Sequence, residues 1–93
     1  MIGFEWDPTK AASNLIKHKV SFEDAAVACR NSFAVVWIDE REDYNEDRVN
    51  LLGLSGREVL FVAYTERGDN IRIIMARWAE KHEQHRYYRQ NAP

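Results

Sequence analysis

The feature that most restricts this chain is a change of hydrophobic period near Ala34. Before that point apolar residues recur at helical spacing, and after it they alternate, as they do in strands with one face buried. A chain of 93 residues that changes period in this way has to stack helices on a sheet. At this length one modest core can form and a second cannot, so a single domain over residues 1–93 is expected.

Phe4 to Trp6 reads as a short opening strand. Asp7-Pro8 then supplies an N-cap followed by proline at the first helical position, which predicts a helix from Pro8 to about Lys19. Ala12, Leu15 and Ile16 are its expected buried stripe, with Lys10, Asn14 and Lys17 on another face and His18 beside them. Ser21 opens a second helix whose apolar side is Phe22, Ala25, Ala26 and Cys29, and Val20 with Ala25 is placed to act as a hydrophobic staple. Strands are expected over Ala34 to Ile38, Val49 to Leu54, Val59 to Thr65 and Asn70 to Ala76. The last three are joined by turns at Ser55-Gly56-Arg57 and Arg67-Gly68-Asp69. A closing helix runs from about Glu80 to Gln90. The expected class is α+β, with two N-terminal helices and one C-terminal helix packed on a mainly antiparallel sheet.

Cys29 is the only cysteine, which excludes an intramolecular disulfide and a cysteine-based zinc site and fits a reducing compartment. The longest apolar run, Phe33 to Ile38, is far short of the roughly 20 residues that span a bilayer, and no charged leader precedes an apolar stretch. A cytoplasmic protein without a membrane partner is the expectation. The net charge of −2 is unevenly distributed. Asp39 to Asp47 has six acidic residues and one arginine, hence −5, whereas Glu66 to Pro93 has six Lys/Arg against four Asp/Glu, hence +2. That asymmetry permits a phosphate-facing surface on the C-terminal part.

No phosphate-binding glycine loop, G-x-S-x-G or H-E-x-x-H is present. His82 and His85 at i, i+3 lack the further ligands a metal needs, so no metal and no cofactor is expected. From the residues alone the reading stops at an α+β domain with a basic C-terminal part.

Two separated blocks carry a resemblance. The opening Phe4-Glu5-Trp6-Asp7, Lys10, Asn14, Lys17-His18, Val20, Phe22-Glu23 and Ala25 is similar to that of the BrnT family, and Tyr44, Glu46 and Arg48 continue it. Tyr64 to Gly68 and Arg72 to Arg77, followed by Ala79, Glu83 and Tyr87, resemble the family's second block. Two departures stand out: Met75 where the family commonly has serine, and Lys19 where it tends to have glycine.

The resemblance implies a fold like that of the RelE-type toxins and metal-independent cleavage of RNA. It also implies a cognate antitoxin, dimeric and of ribbon-helix-helix type, that neutralises the toxin and carries it to operator DNA in an autorepressing complex. In such cleavage the ribose 2′-hydroxyl attacks the adjacent phosphate. The enzyme then assists deprotonation, neutralises a phosphorane-like charge and protonates the leaving 5′-oxygen. Arg77 is the first candidate for the charge because a guanidinium fork binds two phosphate oxygens, with Glu83 as base and Tyr87 as acid or hydrogen-bond anchor. Arg72 is a further catalytic candidate, although strict strand alternation places it on the opposite face from Arg77. Lys10, Asn14, Lys17, His18 and Arg67 are candidate RNA contacts. Trp6, Trp37 and Trp78 read as core or interface aromatics. The competing reading is a non-catalytic module that binds an antitoxin or a nucleic acid.

Overall fold

The computed structural model describes residues 3–40 and 47–93. Residues 41–46, the middle of the acidic run together with Tyr44 and Glu46, lie outside the described residues. The element order is β1 (Gly3–Glu5), α1 (Pro8–His18), α2 (Phe22–Cys29), β2 (Val35–Ile38), β3 (Val49–Ser55), β4 (Glu58–Arg67), β5 (Asn70–Trp78) and α3 (Lys81–Gln90). The strands form one sheet in the order β1-β5-β4-β3-β2, antiparallel except that β1 runs parallel to β5. None of the described helices is long and apolar enough to cross a membrane.

Local chemistry sets the ends of these elements. The Asp7 carboxylate accepts from the Thr9 and Lys10 N–H groups, and the Ser21 hydroxyl accepts from the Asp24 N–H. Gly56 and Gly68, at φ 65° and 59°, take the left-handed conformations of the two hairpin turns. Gly53 serves another purpose: a Cβ there would meet the Ala28 carbonyl oxygen, so its absence lets α2 lie close on β3.

Both faces of the sheet are buried. On one, α1 and α2 cover Val49, Leu51, Leu60, Val62, Ile73 and Ala76, with Phe22 at the centre and the Trp6 ring edge-on to it at 5.9 Å. On the other, α3 covers part of a second cluster made by Val35, Leu52, Val59, Phe61, Ala63, Ala79 and Tyr87.

The first helix is turned relative to the sequence expectation. Ala12, Leu15 and Ile16 face outward, Leu15 and Ile16 being 49% and 74% exposed, whereas Asn14 is buried. The cause is a long-range contact. The Asn14 Nδ2 donates to the Val20 carbonyl at 3.0 Å and the Ala76 carbonyl at 2.8 Å, and its Oδ1 accepts from the Ala76 N–H at 3.2 Å. Because β1 pairs with β5 only over Asn70 to Arg72, the edge of β5 beyond that point needs other partners. The Asn14 amide satisfies both backbone groups of Ala76 as a neighbouring strand would. Asn14 is therefore a structural residue and does not share an exposed RNA-facing strip with Lys10 and Lys17.

A second correction comes from β5. Ala63 pairs with Met75 but Tyr64 pairs with Ile73, so Ile74 is an extra residue and the strand is bulged. The bulge inverts the alternation. Arg72 lies opposite Thr65 and Arg77 opposite Phe61, and Thr65 and Phe61 share a face of β4, so the two arginines are on one face and not on opposite ones.

Replacing Asn14 by alanine strands three buried backbone groups, each costing about 1–3 kcal/mol when unsatisfied. We expect Asn14→Ala to lower unfolding free energy by about 3 kcal/mol in a denaturant titration, whereas Ile16→Lys stays within about 0.5 kcal/mol of the parent.

Candidate active site

Beside α3, the sheet face that this helix leaves uncovered forms a cleft of about 710 Å³. Trp37, Asn50 and Phe61 form its floor with Met75, and Arg77, Glu80, His82 and Glu83 form one wall. The strand register explains the floor: Trp37 pairs with Asn50, Asn50 with Ala63 and Ala63 with Met75, a row across four strands. Asp39 and Glu40 complete the rim. Four carboxylates against one guanidinium make the lining formally acidic, so its field does not draw an anion in, and Arg77 is the lining side chain of formal positive charge.

Arg77 occupies the last turn of strand before α3. Its Nη1 and Nη2 donate to the two oxygens of Glu83 at 2.8 and 3.0 Å, Nη1 also donates to the Trp78 carbonyl at 3.2 Å, and the guanidinium lies 4.2 Å above the Phe61 ring. Glu80 stands at 3.6 Å from Nη2. Three of the five N–H groups are thus engaged, which leaves Nε and one Nη2 proton for a ligand.

Glu83 is not placed as a proton acceptor. Both of its oxygens accept from Arg77, and Oε1 also accepts from the Glu80 N–H at 2.8 Å. Burial pushes its acidity toward the neutral form. The bonds from Arg77 and the Glu80 backbone, with the charges of Arg77 and His82, outweigh burial and lower the pKa. A carboxylate so stabilised is a weaker base than an ordinary one, and its geometry is that of a group that fixes Arg77.

Tyr87 is buried in the α3-side core, and its hydroxyl donates to Asn31 Oδ1 at 2.6 Å. Burial first, and the neighbouring Tyr88, raise its pKa, and it does not line the cleft. Its position is that of an anchor for α3, not of an acid. Arg72 is joined to Glu5 at 2.9 Å at the hairpin end of the sheet, roughly 15 Å along β5 from Arg77. It therefore braces β1 against β5 outside the cleft. Arg67 ends β4 at that same hairpin.

Lys10, Lys17 and His18 belong to α1, on the far side of the sheet from Arg77, so they and Arg77 do not meet one phosphate. Cys29 is no nucleophile either, since burial pushes its thiol up to about 12.

Asn50 escaped the sequence reading, and two further lining residues were named there for other reasons, His82 as a poor metal candidate and Trp37 as a core or interface aromatic. His82 lines the cleft, and Trp37 is half-buried on the floor with the Arg86 guanidinium stacked on it at 4.1 Å. Asn50 is buried, and its Oδ1 is the buried side-chain atom left without a hydrogen-bond partner among the described residues. The signal available for Asn50 was one amide inside the apolar run Val49 to Leu54.

Over residues 6–83 the sequence matches the family described as the ribonuclease toxin, BrnT, of type II toxin–antitoxin systems. The chain belongs to the BrnT family. Comparison with curated proteins gave no significant match. The matched stretch of this BrnT-family toxin includes Asn14, Asn50, Arg77 and Glu83 and ends before Tyr87. Family membership makes the chain a ribonuclease toxin and implies a cognate antitoxin as its partner.

The Arg77–Glu83 pair sets an acid limit on stability. Because the folded-state pKa of Glu83 is depressed, its contribution is fully present above the ordinary value of 4.5 and is lost as pH falls through the folded value. Melting temperatures of the parent and Glu83→Gln should accordingly differ most near neutral pH and converge in strong acid. A difference that stays constant down to acid pH would show that ionised Glu83 contributes nothing.

Proposed function

We propose that the toxin is a metal-independent endoribonuclease of the mRNA-interferase type, with a RelE-like fold, and that the Arg77 cleft is its reaction centre. The single observation that carries the reading is a guanidinium held bidentately by Glu83 on the wall of an aromatic-floored cleft, with Nε and one Nη2 proton outside that fork. Preorganised donors of this kind act most strongly on charge that develops in the transition state.

The roles follow from what each atom has left to give. Arg77 neutralises the charge on the phosphoryl oxygens as the 2′-hydroxyl attacks, and Glu83 keeps the guanidinium in register. His82 is the cleft side chain able both to take the 2′-hydroxyl proton and to return one to the 5′-oxygen. Trp37 and Phe61 offer aromatic faces to unstacked bases, the usual mode of single-stranded RNA recognition. Asn50 Oδ1 accepts a hydrogen bond from a substrate donor. Arg72, brought by the bulge onto the same sheet face as Arg77, and Arg67, on that face by the alternation of β4, mark the direction in which the RNA backbone leaves the cleft.

Metal independence rests on the chemistry of the donor set. Glu80, His82 and Glu83 form the described group whose ligand atoms lie near enough to share a cation. The Arg77 guanidinium stands against both of those carboxylates, so a metal ion would compete with a fixed positive charge. RNA as substrate places the toxin in the cytoplasm. There a dimeric ribbon-helix-helix antitoxin neutralises it and carries it to operator DNA, which the toxin does not itself contact.

Purified toxin should cleave single-stranded RNA at the same rate with and without a chelator. Activity that vanishes with chelator and returns with a divalent ion would sink the metal-free mechanism. Arg77→Lys keeps the charge but loses the planar fork, and should lower the cleavage rate by about 10²–10³ while the melting temperature shows a folded protein. Asn50→Leu, similar in volume, removes the unpartnered acceptor. It should weaken RNA binding without unfolding the domain, and parent-like affinity would remove Asn50 from the site.

A further inference from the structure

The outward face of α1 has no role in the cleft, and its composition is unusual for a solvated helix. Ala12, Leu15 and Ile16 stand at i, i+3 and i+4 and are all exposed. Trp78, 49% exposed, lies on the sheet face that α1 covers: it pairs with Leu60 of the helix-side core, one same-face position beyond the Ala76 that Asn14 binds. Large apolar side chains grouped in this way mark an interaction surface when they are contiguous.

The charges beside this stripe have one sign. Lys10 and Lys17, seven residues apart, share a face about 100° round the helix from Ile16, and Lys19 follows the end of the stripe, all three exposed. No acidic residue occurs from Pro8 to Phe22. Lys19 also holds a left-handed backbone, φ 61°, the only such non-glycine residue described. Glycine adopts that conformation without strain, so a lysine there retains a positive charge at a conformational cost. An aliphatic stripe is poor material for RNA, which is gripped by aromatic stacking and by cations. It is good material for a helix–helix contact, in which a second apolar stripe packs against the first.

We propose that the face formed by Ala12, Leu15, Ile16 and Trp78 is the docking surface for an acidic amphipathic helix of the cognate antitoxin. The inference rests on membership of a toxin–antitoxin family, and it reassigns Lys10 and Lys17 from RNA to this partner. The antitoxin helix lays its apolar side on Leu15 and Ile16 and sets carboxylates against Lys10, Lys17 and Lys19. Since α1 and the cleft lie on opposite sides of the sheet, this contact leaves the cleft itself uncovered, and the rest of the antitoxin remains to block or reshape it.

The test uses the full-length toxin and the protein encoded by the neighbouring reading frame, measured by calorimetric titration alongside RNA cleavage by toxin alone. Ile16→Glu and the double variant Leu15→Glu, Ile16→Glu change exposed side chains. They should bind that protein at least 100-fold more weakly, keep parent-like cleavage and escape its neutralisation. Lys19→Gly relieves the left-handed strain, so it should melt higher than the parent and still bind more weakly. Affinities within twofold of the parent for the double variant would overturn the proposal. So would a folded double variant that binds normally but no longer cleaves RNA, since the face would then serve the substrate, or a toxin homodimer that Ile16→Glu dissolves. A parent toxin that fails to cleave RNA defeats the ribonuclease reading of the cleft but leaves the binding comparison to decide this one.

Discussion

The fork between Arg77 and Glu83 is the contact on which the cleft side of the sheet depends. Helix α3 buries only Glu83 and Tyr87 among its ten residues, too little apolar surface to hold a helix against a sheet by burial alone. Polar contacts supply the rest: the fork itself, the Tyr87 hydroxyl on Asn31, the Arg86 guanidinium on Trp37, and Asn91 on the carbonyls of Phe33 and Tyr87. Once α3 is fixed in this way, the part of the sheet it does not reach becomes the cleft. Fold and site thus share one ion pair. A side chain that braces the last strand against the last helix is also the one that presents its remaining donors to a ligand.

The sheet separates two kinds of surface. Its α3 side carries the cleft, with aromatic floor, guanidinium and unpartnered amide. Its other side is covered by α1 and α2, whose outer surface is aliphatic and lysine-edged at α1. In the reading proposed above, RNA and antitoxin take these two chemically different faces, so that each contact can be tuned without altering the other. Asn14 connects them structurally. By satisfying both backbone groups of Ala76 it sets the rotation of α1, and so determines that Leu15 and Ile16 point outward.

Much of the architecture was legible because its signals are local. Proline after Asp7, serine before the second helix and a glycine in each hairpin turn act within a few residues, and the elements begin and end within about two residues of where those signals place them. What failed was long-range. An amide on a helix reads as solvent-facing until the open edge of β5 is known, which is why the stripe of α1 was assigned to the wrong side. The bulge at Ile74 has no proline or glycine to announce it, so counting alternate residues put Arg72 on the wrong face. In the site, Arg77 and Glu83 could be paired from their spacing. That Glu83 is also occupied by the Glu80 N–H is a local capping contact that was overlooked, whereas the tie of Tyr87 to Asn31 and the entry of Asn50 into the cleft depend on contacts between elements distant in sequence.

The chemistry of the cut ends tests the central claim most directly. Cleavage by 2′-hydroxyl attack, with the charge gathered on Arg77, leaves a 2′,3′-cyclic phosphate on one fragment and a 5′-hydroxyl on the other. Mass spectrometry of RNA fragments made by the purified toxin should find those two ends and no others at early times. Fragments ending in 3′-hydroxyl and 5′-phosphate would mean that water, not the ribose, is the nucleophile, and would contradict the account.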